Sequence, residues 1–187
     1  MGYPRILLVL ILVHFHAYGG EVLNTQASYE KSEFHIITSM VIKGDSQQVF
    51  DILTDYQQLA QVSEIVLSSH KITENRSLED GPIRVGINTR TCVLFFCFKA
   101  RIVEDVEILN EVTLKAVIVP ELSDFKSGEI IIQVLDYPDN QTLVSFESRF
   151  TPDFWVPPII GPMIIKRKTI QTSTHTIFQI EKLLNSE

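Results

Sequence analysis

Residues 157–184 read PPIIGPMIIKRKTIQTSTHTIFQIEKLL. Pro157, Pro158 and Pro162 punctuate a loop, and Met163, Ile170, Thr174, Ile177, Phe178 and Leu184 then follow at the three-to-four spacing of one helical face. The stretch predicts a long amphipathic helix. Upstream, from Phe34 to Phe150, side chains alternate in the manner of strands, so one helix has a large sheet to cover. The predicted fold is α+β: a curved antiparallel sheet of about seven strands wrapped around the C-terminal helix, with a cavity between them.

The strands fall in a simple order. Phe34, Ile36, Thr38, Met40 and Ile42 lie on one face of the first, which Gly44 and Asp45 end. Asp45 or Ser46 can cap a short helix, Gln47 to Leu53, and Thr54 or Asp55 a second, Tyr56 to Val62. Ile65 to Thr73, Ile83 to Thr91, Glu111 to Val119, Lys126 to Leu135 and Leu143 to Phe150 supply the other strands, together with the partner of Ile83 to Thr91 across a hairpin.

That hairpin carries the chain's two cysteines. Setting Cys92 opposite Cys97 pairs Thr91 with Phe98, Thr89 with Ala100, Ile87 with Ile102 and Ile83 with Val106 on one face. Arg90 then meets Lys99, Asn88 meets Arg101 and Arg84 meets Asp105 on the other. The faces separate into apolar and wet, which supports the register independently of the cysteines. Opposed residues of a non-hydrogen-bonded pair are close enough for a disulfide, the first choice in an exported chain, with two buried thiols as the alternative. A metal site lacks a nearby histidine.

Arg5, an apolar run from Ile6 to Val13, and Ala17, Tyr18 and Gly19 have the layout of a secretory signal peptide, with cleavage expected after Gly19 or Gly20. The rival, an uncleaved anchor, needs roughly 20 apolar residues, and His14 and His16 interrupt the run too early. The organisation expected is a signal peptide over 1–20, a flexible polar leader over 21–33 and one domain over 34–187. A periplasmic or secreted location follows. The 45% hydrophobic content supports one core, and the net charge of −7 argues against a nucleic-acid partner. Asn75 with Ser77 and Asn140 with Thr142 match the glycosylation pattern, which has meaning only in some hosts.

Val49, Phe50, Asp51, Ile52, Leu53, Thr54, Asp55 and Tyr56, followed by Leu59, Ala60 and Ile65, resemble the opening helix pair of the START-like, SRPBCC superfamily. The stretch resembles in particular its coenzyme Q-binding and polyketide cyclase/dehydrase-like families, and the order of strands, Pro-rich turn and last helix extends the resemblance along the chain. The resemblance implies a helix-grip fold with a hydrophobic cavity. It carries over no set of catalytic residues.

No histidine of the mature segment stands as a good base: His35 and His70 fall out of phase with the inward sets, and His175 is a lone helix residue. Nucleophile elbow, phosphate loop and metal spacing are all missing, and no cofactor is expected. Glu104, in phase with Ile102 and Val106, and Glu129, in phase with Phe125 and Ile131, are the best catalytic outsiders; the plainer reading puts each at the sheet rim, reaching solvent. The function expected is binding of a hydrophobic molecule such as a lipid, quinone or polyketide-like compound. Met40, Ile87, Ile102, Leu114, Ile131, Phe146, Ile170, Ile177 and Phe178 are its predicted lining. A cyclase or dehydratase of the same fold, or an interaction module with a filled core, are the alternatives. Apolar residues at the hairpin tip, Phe95 and Phe96, and in the later loop, Trp155, adjoin Arg90, Lys99, Lys166, Arg167 and Lys168. Such a combination suits transient contact with an anionic membrane, and packing of the loops on each other or on a protein competes with that reading.

Overall fold

The computed structural model describes residues 19–73, 77–93, 95–157 and 160–186. The expected signal segment up to Tyr18, and Asn75, Leu94, Pro158 and Ile159, lie outside the described residues. Among the described residues eight strands form one curved antiparallel sheet in the order β1-β2-β8-β7-β6-β5-β4-β3. The strands are β1 (Glu21–Glu30), β2 (Glu33–Lys43), β3 (Val66–Lys71), β4 (Ile83–Val93), β5 (Phe96–Asn110), β6 (Thr113–Ile118), β7 (Phe125–Tyr137) and β8 (Gln141–Pro152). Helices α1 (Ser46–Thr54) and α2 (Leu59–Val62) follow β2, and α3 (Pro162–Leu184) ends the chain. This is the helix-grip arrangement.

The segment expected as a loose leader is instead β1, an eighth strand. Its side chains are mostly polar and exposed, so no period marks it; a main-chain ladder to β2 holds it, and Thr25 alone is fully buried, its hydroxyl 2.9 Å from that of Thr38. The turn into β2 runs through Lys31 and Ser32, both at positive φ. Two-residue hairpin turns normally advertise that conformation with Asn-Gly or Asp-Gly, and this one does not. The domain therefore begins about a dozen residues before the boundary expected at Phe34.

Register makes one face of the sheet continuous. Thr38, Phe146, Ile132 and Leu114 stand side by side across β2, β8, β7 and β6, and beside them run Ile36, Ser148, Ile130, Ala116, Val106 and Ile83. The helices cover this concave face. Asp45 caps α1 by accepting from the backbone N–H groups of Gln47 and Gln48, and Val49 and Phe50 drop from it into the core beside Met40, Val134 and Val144.

The C-terminal half of α3 is anchored tightly. Ile177 and Ile180 are buried in the same cluster, and a Cβ at Gly20 would collide with the Val41 carbonyl and the Ile177 side chain. Glu181 Oε1 accepts from the backbone N–H of Gly20 at 2.6 Å and of Lys43 at 2.9 Å. Leu184 packs over Gly44, whose φ of +147° suits glycine.

Candidate functional site

The β4–β5 hairpin sets the site's geometry. Every expected pair is present, from Ile83 with Val106 to Cys92 with Cys97, and the two cysteines form a disulfide across Cα atoms 4.0 Å apart. Because the register is fixed, Ile83, Val85, Ile87 and Thr89 of β4 share the concave face with Ala100, Ile102, Glu104 and Val106 of β5. Glu104 thus stands in an apolar wall, with Val85 on one side and Ile118 of β6 on the other.

Glu104 is not at the rim. It is 3% exposed, and its Oε2 has no hydrogen-bond partner among the described residues. A carboxyl left so costs about 1–3 kcal/mol. Burial disfavours the charged form and pushes its pKa from the ordinary 4.5 up to about 7. Tyr56, held where the α1–α2 link crosses the sheet, is buried in the cluster of Ile83, Val85, Ile87, Val106 and Leu114. Burial and then the nearby Glu104 charge raise its phenol pKa, so it stays a neutral O–H. A carboxyl poised near neutrality beside a neutral phenol can donate or accept a hydrogen bond, or exchange a proton with a polar group brought to it.

Most of the predicted lining comes together on this face. Met40, Ile87, Leu114 and Ile177 are buried there, and Ile102 and Phe146 are half-buried. Ile131 is not: it pairs with Lys115 and Glu147 on the convex side, while Ile130 and Ile132 turn inward. A bulge between Phe125 and Ser127 flips the alternation after Phe125, and three successive isoleucines hide the flip. Glu129 goes outward with Ile131 and meets Lys115 at 2.9 Å, which ends its candidacy.

Phe178 is also misplaced by the periodicity, and Ile170, on the right face, is only partly covered. The covered stripe of α3 runs through Ser173, Ile177 and Ile180; Phe178 is rotated about 100° from Ile177 and is 62% exposed. Ile170 lies two turns nearer the helix start, where less covers it. Among the described residues the three histidines stay off the concave wall. His35 Nε2 lies 2.9 Å from Glu147, and with Arg149 it holds that carboxyl below its usual range. His70 is exposed over Gly86, and His175 faces Glu64. The hydrogen bond from Lys168, at 2.8 Å, chiefly lowers the Glu64 pKa, so one cation of the Lys166–Lys168 run is paired within the fold.

At the end of the molecule where α3 begins, aromatic rings form a continuous run. Tyr29, Phe34, Phe150, Phe125, Phe154, Phe98, Phe96 and Phe95 touch in that order, with centroids 4.4–6.5 Å apart. Phe34 and Phe125 are buried, whereas Phe95 at the far end is 83% exposed. The contact of Phe98 with Phe154 shows that the two apolar loops pack together at their roots. Beyond those roots Trp155 is 69% exposed, and Met163 in the first turn of α3 is 84% exposed. A separate groove of about 380 Å3, lined by Leu78, Glu79, Pro82, Glu107, Ile108 and Glu111 among others, includes no residue of α3 and none of the predicted lining.

No protein-family model and no curated protein matches the chain. Solved structures do match. A START superfamily protein from Mycobacterium smegmatis superposes with a TM-score of 0.62 at 14% identity, over 81% of this chain and 97% of that one. The Zhui aromatase/cyclase from a Streptomyces species gives 0.59 at 9% identity, over 82% and 94%. Ara h 8.0201 gives 0.53 at 12% identity, over 83% and 99%.

Proposed function

We propose that this chain, which has the START-like helix-grip fold, is an exported binding protein that holds a hydrophobic small molecule of the lipid, quinone or polyketide class between the concave sheet and α3. One observation carries the reading. The aromatic run leads from an exposed ring, Phe95, to rings buried on the concave face, so apolar surface is continuous from solvent to interior at the end where α3 begins. Folding alone gives no reason to leave Phe95, Trp155 and Met163 in water. Organic extraction of the purified protein, followed by mass spectrometry, is expected to yield one apolar compound at near-stoichiometric amount. Protein that yields none, and that also fails to take up anilinonaphthalene sulfonate, overturns the reading.

A second observation bears on where the molecule is exchanged. In a chain of net charge −7, the cations Arg90, Lys99, Arg101, Lys166 and Arg167 have no ion-pair partner among the described residues. Arg90 stands directly across from Lys99, a like-charged pair that an outside anion would relieve. Phe95, Phe96 and Trp155 with these cations suit a weak, reversible contact with an anionic membrane. Sedimentation with phosphatidylserine vesicles is expected to carry down the wild type and to lose Phe95→Ser/Phe96→Ser and Trp155→Ala; equal, negligible sedimentation by all three removes the membrane from the account.

A further inference from the structure

Apolar alternation explains every large side chain on the β4–β5 part of the concave wall except one. Glu104 occupies a position whose neighbours across and along the strands are Val85, Ile118, Ile102 and Val106. A leucine or valine there would continue the wall. The carboxyl is instead nine-tenths and more buried with an unpartnered oxygen, and the buried Tyr56 phenol lies close enough to feel its charge. Its pKa rises through burial, and no charged neighbour among the described residues contributes. Nothing in the hairpin's register requires a carboxylate at this position, because the β4–β5 ladder is complete in backbone terms.

We propose that Glu104 is the polar anchor of the interior site, and that the molecule it selects is an apolar compound carrying a neutral hydroxyl, an alcohol or a phenol, whose O–H group meets the Glu104 carboxyl. The inference rests on the reading of the interior as a hydrophobic-ligand site. Three chemical alternatives separate clearly. A fatty carboxylate would set a second acid against Glu104 in a poorly solvated place, where the two cannot both ionise. An ammonium would require both charges to be desolvated, and the side chains directly beside Glu104, Val85 and Ile118, offer the resulting pair no further hydrogen bonds. A hydroxyl both donates and accepts, so it satisfies Glu104 in either protonation state: the acid donates to it, and the carboxylate accepts from it. Tyr56, a neutral phenol, adds a second group of the same kind nearby.

Decanol, decyl methyl ether and decylamine are the probes, with binding to the lipid-stripped full chain followed by titration calorimetry at about pH 8.5, where Glu104 is mostly ionised. The ether accepts but cannot donate. Wild type is expected to bind decanol about tenfold more tightly than the ether, the size expected for one hydrogen bond to a charged group. Glu104→Leu should keep the ether affinity within about twofold and lose the preference, and Glu104→Gln, which retains a hydrogen-bonding side chain, should recover part of it. Equal binding of decanol and ether by wild type, or an unchanged preference in a folded Glu104→Leu, overturns the anchor while leaving the interior site in place. Tighter binding of decylamine than decanol overturns the hydroxyl class. No binding of any probe by wild type overturns the interior site, and with it the anchor.

Discussion

At its C-terminal end α3 is locked to the sheet: Ile177 and Ile180 are buried, Gly20 and Gly44 let backbone and helix approach closely, and Glu181 bonds two backbone N–H groups. At its other end the same helix starts from Gly161 without a side-chain cap, exposes Met163, and has Lys166 and Arg167 where the helix dipole disfavours cations. One element thus closes the fold by packing at one end and leaves apolar and cationic groups in solvent at the other. The difference separates the residues that make the domain stable from those available to a ligand or a surface.

The largest expected effect tests the closed end. Ile180→Ala should lower unfolding free energy by about 2–5 kcal/mol in urea titration, while Ile170→Ala should cost well under half as much. Equal losses would erase the distinction between the ends. Between them, Glu104 should make stability depend on pH. Its folded pKa, about 7, exceeds the ordinary 4.5, so the folded state keeps a proton that the unfolded state releases. The stability this gives is fully present below about pH 4.5, falls as pH rises to 7 and stays level above it. Ligand-free Glu104→Leu should lack that fall and gain about 3 kcal/mol over wild type at pH 8 relative to pH 4. A parallel pair of pH profiles would sink this expectation.

Smaller effects belong to the open end. Cys92→Ser/Cys97→Ser opens a short loop, which the chain-entropy model values at about 2 kcal/mol, and the hairpin amides should exchange faster while the core amides do not. Trp155→Ala and Met163→Ser should change stability by less than about 0.5 kcal/mol in the same urea titration. A loss above 1 kcal/mol would show that these side chains are structural after all.

The sequence spoke clearly where several signals agreed. In the β4–β5 hairpin the cysteines, the apolar face and the Arg84–Asp105 pair all demand one register, and that register is the one formed. The long last helix was legible for the same reason, from its prolines and its period, although its covered stripe was not. Ile177 and Phe178 were read as one face, whereas packing covers Ser173, Ile177 and Ile180, and Ile170, two turns back on that same stripe, is left 38% exposed. Where only one signal existed, it misled. Ile130, Ile131 and Ile132 give no alternation from which to detect a bulge, and β1 is a strand that only backbone pairing makes visible. Glu104 was in phase with its apolar neighbours from the start; what periodicity lacks is depth, and only the positions of Tyr56 and β6 reveal that this point on β5 is far from the rim.

Glu181 has a consequence for the proposed export. Its Oε1 sits 2.6 Å from the main-chain nitrogen of Gly20, one of the two positions at which the proposed export would free a new terminus. Cleavage after Gly19 would turn that amide into an ammonium, and a hydrogen bond from a neutral N–H to the carboxylate would become an ion pair fastening the first residue of the processed chain to its last helix. Cleavage one residue later discards the nitrogen altogether and leaves the carboxylate with Lys43. The peptidase's choice of bond would then decide whether the processed chain is clasped at its terminus.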